Sequence, residues 1–124
     1  MKIKSIVAPL VVLVLVAGAS LYLLRPQKET FGNLPASEVQ TVTIGDIAHL
    51  QPGETVAIEG TIKRECPSSG CWALIEDHTG EIRIDTEKGG FALPLHREGS
   101  RIRVVGELEL VENDLQISAE YAEL

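Results

Sequence analysis

The stretch Thr55-Val56-Ala57-Ile58-Glu59-Gly60-Thr61-Ile62-Lys63 decides the fold. Val56, Ile58, Gly60 and Ile62 alternate with Thr55, Ala57, Glu59, Thr61 and Lys63. Successive side chains of a strand point to opposite faces, so this period of two predicts a strand with one face buried. Just upstream, Leu50-Gln51-Pro52-Gly53-Glu54 reads as a Pro-Gly turn that launches the strand, preceded by a short turn of structure over residues 43–47.

Downstream the pattern repeats. A second strand is expected over about residues 71–76, and Glu81-Ile82-Arg83-Ile84-Asp85 alternates as a third, with Asp77-His78-Thr79-Gly80 as the hairpin turn between them. Lys88-Gly89-Gly90 breaks the sheet, residues 91–97 cross over with Pro94 inside, and Glu98-Gly99-Ser100 leads into a fourth strand over residues 101–110. Glu112-Asn113-Asp114 turns it into a fifth over residues 115–118. Five short strands at regular spacing predict an all-β class: a small five-stranded, OB-fold-like antiparallel barrel, which leaves no long edge exposed. Gly60 and Gly106, each in mid-strand, fit the sharp bends of such a barrel.

The first 24 residues follow another rule. Residues 6–24 carry no charge, with Lys2 and Lys4 before them and Arg25-Pro26 after. About twenty apolar residues span a bilayer, and positive charge ahead of them places the N-terminus in the cytoplasm. One N-terminal transmembrane helix is therefore expected ahead of the barrel. The competing reading is a cleaved signal peptide, because Ala17-Gly18-Ala19 is a small-x-small pattern, although Leu21-Tyr22-Leu23-Leu24 prolongs the apolar run beyond it. Either way the domain is exported. The expected organisation is residues 1–24 as anchor or signal peptide, 25–42 as linker and 43–124 as barrel. The expected address is the cytoplasmic (inner) membrane, single-pass, with the C-terminal domain in the periplasm or outside the cell.

The chain of 124 residues carries a formal charge of −7. Without Lys2 and Lys4, two positive charges fewer, the remainder stands at −9. Arg97, Arg101 and Arg103 are interleaved with Glu98, Glu107 and Glu109, so no basic patch forms to neutralise phosphates, and no nucleic-acid partner is expected. No serine nucleophile motif, phosphate loop or paired carboxylates are recognisable, so no enzyme activity is expected.

Chemistry concentrates in Cys66-Pro67-Ser68-Ser69-Gly70-Cys71-Trp72, between the first and second strands. In an oxidising compartment two nearby cysteines pair by default, and a Cys66–Cys71 disulfide would serve a structural or protein-interaction domain of the envelope. So short a loop stabilises by only about 2 kcal/mol, which leaves room for another use. The functional alternative makes Cys66 and Cys71 thiolate ligands of a thiophilic ion, copper or zinc. His78, in the next turn, or His96, in the crossover, would supply nitrogen, and Trp72 would shield the ion. A redox-active pair normally has two intervening residues and a helix N-terminus beside it, and neither is visible here.

Two family resemblances rest on these residues. Ile58-Glu59-Gly60-Thr61-Ile62 through Cys66 to Cys71-Trp72, then Gly106, is similar to small exported bacterial OB-fold proteins of uncharacterised function with a Cys…Gly-Cys-Trp loop. Leu93-Pro94-Leu95-His96-Arg97-Glu98-Gly99, followed by Val104-Val105-Gly106-Glu107-Leu108, resembles the periplasmic haem chaperone of cytochrome c maturation, also an anchored OB-fold barrel. That resemblance implies haem handling as an alternative function. The family attaches haem through a histidine beyond its last strand, and Ala119-Glu120-Tyr121-Ala122-Glu123-Leu124 has none. The resulting expectation is a membrane-anchored binding module outside the cytoplasm, with envelope proteins as partners and its site in the 66–72 loop.

Overall fold

A computed structural model describes residues 4–24 and 28–124, with side chains from Val7 onward. Lys2, Arg25 and Pro26, which entered the anchor reading, lie outside the described residues. Helix α1 (Lys4–Leu23) contains Pro9 and is apolar on all sides, and every side chain from Val7 to Leu24 is exposed. Taken over the described residues, no helix is long and apolar enough to cross a membrane. The expected transmembrane element is thus present as a helix and is not shown as a span.

Six strands follow: β1 (Thr30–Gly32), β2 (Thr55–Glu65), β3 (Trp72–Asp77), β4 (Gly80–Asp85), β5 (Arg101–Val111) and β6 (Asp114–Glu123). They form one sheet in the order β1-β6-β4-β3-β2-β5, and β5 also pairs with β6, so β2 to β6 close into a five-stranded barrel. Its axis of assembly is apolar alternation: Val56, Ile58 and Ile62 of β2, Ile75 of β3, Ile84 of β4, Val104 and Leu108 of β5, and Ile117 of β6 fill one core. Gly60 and Gly106 stand where neighbouring strands come close. A Cβ on Gly60 would lie 2.5 Å from the Glu76 carbonyl oxygen, and one on Gly106 would lie 2.2 Å from that of Ser118.

The barrel is mixed, which corrects the expected antiparallel one. Strands β4 and β6 run parallel, with Ile84 opposite Ile117 and Asp85 opposite Ser118. The cause is connectivity: the chain leaves β4, crosses over, and returns through the β5–β6 hairpin, which brings β6 back in the direction of β4. Strand β6 also reaches Glu123 rather than ending near Ser118, because Ala119, Tyr121 and Ala122 continue its buried positions.

The stretch expected as a linker over residues 25–42 is partly built into the barrel. Strand β1 pairs with the end of β6, and Glu29 and Leu124 exchange both backbone hydrogen bonds. Farther along, Val42 donates to the Ala57 carbonyl and Ala57 to that of Gln40. Val39 packs with Ala57, Val105 and Tyr121 in a second small cluster, so Ala57 is fully buried although the alternation of β2 had assigned it to the open face.

The short helix η1 (Gly45–His49), a 3-10 turn, is clasped to the β3–β4 turn by Asp77. Its carboxylate accepts the Ile44 N–H at 2.9 Å, the Thr79 N–H at 2.7 Å, the Gly80 N–H at 3.1 Å and the Thr79 hydroxyl. Partial burial alone would raise the pKa of Asp77, but these four donors outweigh it and hold the group at about 2. A depressed carboxylate stabilises the fold above its unfolded pKa, near 4, and that contribution is lost as pH falls towards 2. Asp77→Ala should cost about 1–2 kcal/mol in urea unfolding at pH 7, because three N–H groups lose a charged acceptor at a part-exposed site. The gap between variant and wild type should close between about pH 4 and pH 2, and a gap independent of pH would contradict the clasp.

Candidate functional site

Cys66 and Cys71 flank the loop between β2 and β3, and the barrel holds both ends of it. Cys66 donates its N–H to the Trp72 carbonyl at 3.1 Å, continuing the β2–β3 ladder by one rung. On the other side Thr86, fully buried just past β4, donates its N–H to the Cys71 carbonyl at 2.9 Å and its hydroxyl to the Gly70 carbonyl at 3.2 Å. Leu93 of the crossover donates its N–H to that same Gly70 carbonyl at 2.9 Å. Gly70 has φ +63°, and a Cβ there would meet the Leu93 carbonyl oxygen at 2.1 Å. Only glycine fits this contact.

Within this frame the two sulfurs face each other. Both cysteines are free thiols, with Sγ atoms 3.7 Å apart. The Ser69 hydroxyl sits between them, 3.1 Å from the Cys66 sulfur and 3.2 Å from that of Cys71. The Cys66 thiol is brought down from 9 to about 5, first by the Ser69 hydroxyl and then by the backbone N–H groups of Ser68 and Ser69, against a smaller opposing effect of burial. The two differ in access, for Cys66 is 5% exposed and Cys71 is half-buried.

Cys66 also lines a cleft of about 300 Å3 with Glu65, Pro67, Leu95, His96 and Glu98. His96 holds φ +63°, a left-handed conformation in a non-glycine residue, and Arg97 next to it donates its N–H to Glu65 Oε1 at 2.8 Å. The other oxygen, Glu65 Oε2, is buried with no hydrogen-bond partner among the described residues. Arg97 further binds both carboxylate oxygens of Glu29 at 3.1 Å, tying the crossover to the segment ahead of β1.

Of the sequence-predicted ligands, the structure thus brings together Cys66 and Cys71, and places His96 in the cleft that Cys66 lines. His78 is not with them. It sits in the turn at the far end of β3, about 20 Å of strand away from Cys71. There it lines a separate groove of about 740 Å3 with Thr41, Glu59, Glu76, Asp77 and Arg101. Among the described residues no three His, Cys, Asp or Glu side chains form a group able to hold a metal. Trp72 points to the outer face of the barrel, and one side of its ring is covered by the Arg83 guanidinium, 4.7 Å from the centroid. Ser69 was not foreseen, since a serine in a loop reads as a turn residue until a sulfur lies on either side of it.

A closed five-stranded barrel with this strand order and one parallel pair is an OB-fold. Of the solved structures below, the Stn1–Ten1 complex agrees on the fold alone. The chain is similar to the hypothetical protein YgiW from E. coli, at 19% identity over 76% of this chain and 100% of that one, with a TM-score of 0.49. It is also similar to the telomere capping protein Ten1 from Saccharomyces pombe, at 13% identity over 65% and 77% with a TM-score of 0.48, and to the S. pombe Stn1–Ten1 complex, at 12% identity over 69% and 77% with a TM-score of 0.50. No family model and no curated protein matches the chain, so neither of the two families it resembles in sequence is shown.

The hydrogen bonds around Cys66 make a direct prediction. Alkylation of the reduced protein by iodoacetamide should show a site at Cys66, mapped by peptide mass, whose rate falls only as pH drops through about 5. In Ser69→Ala the midpoint should move upward by at least about one pH unit, since the largest of the lowering contacts is removed. A wild-type midpoint near 9 would show that the serine does not act on this sulfur.

Proposed function

We propose that this protein is a non-enzymatic OB-fold binding module, anchored by its N-terminal segment and displayed outside the cytoplasm, whose 66–72 loop holds a soft metal ion through Cys66 and Cys71. The observation that carries the reading is the pair of free sulfurs 3.7 Å apart in a loop fastened at both ends. Two sulfurs at that separation can each lie about 2.3 Å from one ion. Charge favours a cation as well: the Ser69 and backbone contacts that lower the Cys66 pKa favour its anionic form, and Glu65 and Glu98 line its cleft.

The ligand count selects among ions. Structural zinc takes four protein ligands and catalytic zinc three, whereas among the described residues only the two cysteine sulfurs are brought together. Cu(I) is the soft ion that thiolates select, and it is content with so few. We therefore favour Cu(I), with His96, which lines the same cleft as Cys66, as the candidate nitrogen ligand. A nucleic-acid role, suggested only by what the telomere proteins are named for, is disfavoured by the net charge of −7 and by Glu76 and Glu81 on the outer face of β3 and β4.

Titration of the reduced full chain in detergent with Cu(I), against a chromophoric Cu(I) chelator, should give one ion per chain. The Cys66→Ser, Cys71→Ser double variant should lose it while keeping its β-sheet circular dichroism. Full occupancy in that variant would remove the loop from consideration.

The anchor rests on residues 6–24, an uncharged apolar run whose described side chains are all exposed. Its test is topological. Protein from intact spheroplasts should sediment with membranes and lose its barrel to externally added protease, and protection of the barrel would place it on the other side.

A further inference from the structure

Two features of the loop bear on more than holding an ion. The sulfurs are near enough to bond to each other, and they are unequal in exposure. A disulfide requires an S–S distance of about 2.05 Å. Closing from 3.7 Å brings the two sulfurs together in a loop whose backbone is fastened at Trp72, Thr86 and Leu93. The Ser69 hydroxyl, within reach of both sulfurs, is placed to keep its contact with either during that movement.

We propose that oxidation gates the site: a disulfide compound converts the Cys66/Cys71 pair to an intramolecular disulfide, and the bound ion is expelled. This rests on the Cu(I) reading above and adds the control of that same site. Cys71 is the entry point, because its sulfur belongs to the more exposed residue and Cys66 is 5% exposed. The Cys71 thiolate attacks one sulfur of a disulfide R–S–S–R, forming a mixed disulfide and releasing one R–S⁻. The Cys66 thiolate then attacks the Cys71 sulfur, forming the Cys66–Cys71 bond and releasing the second R–S⁻. Two electrons pass from the pair to the disulfide compound, and the copper stays Cu(I) throughout. Once bonded to each other the two sulfurs carry no thiolate charge with which to hold the ion, and each released R–S⁻ is a thiolate able to take it up. An exported domain meets disulfide compounds as a matter of course, which gives the gate its oxidant.

The test uses the reduced, Cu(I)-loaded full chain in detergent, treated with glutathione disulfide under exclusion of oxygen. Free Cu(I) is followed with a chromophoric chelator, and thiol state by intact mass after alkylation. The expected result is one ion released for each intramolecular disulfide formed, with binding restored by reductant. Cys66→Ser should stop at a glutathione adduct on Cys71. The gate is overturned if glutathione disulfide leaves both thiols of loaded protein free, or if the disulfide forms and the ion stays bound. Reduced wild-type protein that closes its disulfide but never takes up Cu(I) would instead overturn the metal reading, and the gate with it.

Discussion

The parallel contact between β4 and β6 is the constraint on which the rest of the molecule depends. Without Ile84 opposite Ile117 and Asp85 opposite Ser118 the sheet would be an open, curved ribbon with two bare edges. With it, the barrel closes and the chain emerging from β4 is brought directly beneath the β2–β3 loop. Thr86 is the first residue after that contact, and it is fully buried. Its N–H and hydroxyl hold Cys71 and Gly70 one position beyond the Trp72–Asp85 pair of the β3–β4 hairpin, so the strand that closes the barrel also fixes, through its other edge, the backbone that carries the second sulfur.

The fastening has a direct consequence for the chemistry. A loop free to move would pay conformational entropy each time its two sulfurs met on a ligand. Here the ladder rung at Cys66, the clasp at Thr86 and the glycine contact with Leu93 have already met that cost during folding. The donors at Ser68 and Ser69 act on one sulfur more than the other, and this asymmetry comes from loop geometry rather than from a helix N-terminus. A helix N-terminus, the usual source of an activated sulfur, is not legible beside the cysteines in the sequence. Backbone N–H groups in a tight turn supply the same stabilisation.

What could be read from residues alone follows from range of interaction. The alternation of Val56, Ile58, Gly60 and Ile62, and that of Ile82 and Ile84, report a buried face locally, and these strands fell where expected. The glycines at 60 and 106 were legible because only a missing Cβ tolerates so close a wall. Strand β1 was not, since Thr30-Phe31-Gly32 is too short to show a period and exists only because the end of β6 offers it a partner. The parallel pair and the burial of Ala57 were equally invisible, each depending on chain far away in sequence. Spacing brought Cys66 and Cys71 together correctly in view. His78 was a neighbour in sequence only, because β3 carries the chain the length of the barrel between Cys71 and that turn.

The separation of His78 from the sulfurs bears on what kind of binding site this barrel supports. A site built for permanent retention surrounds its ion, as four-ligand zinc sites do, and folding and binding then become one event. This barrel needs no such help: sixteen buried residues form its main core, and the loop is held by hydrogen bonds that involve neither sulfur. A pair of thiols on an already stable frame leaves part of any bound ion's coordination sphere open. Under the proposed metal reading, ligands from outside could then enter and leave without unfolding the domain, which suits exchange better than storage.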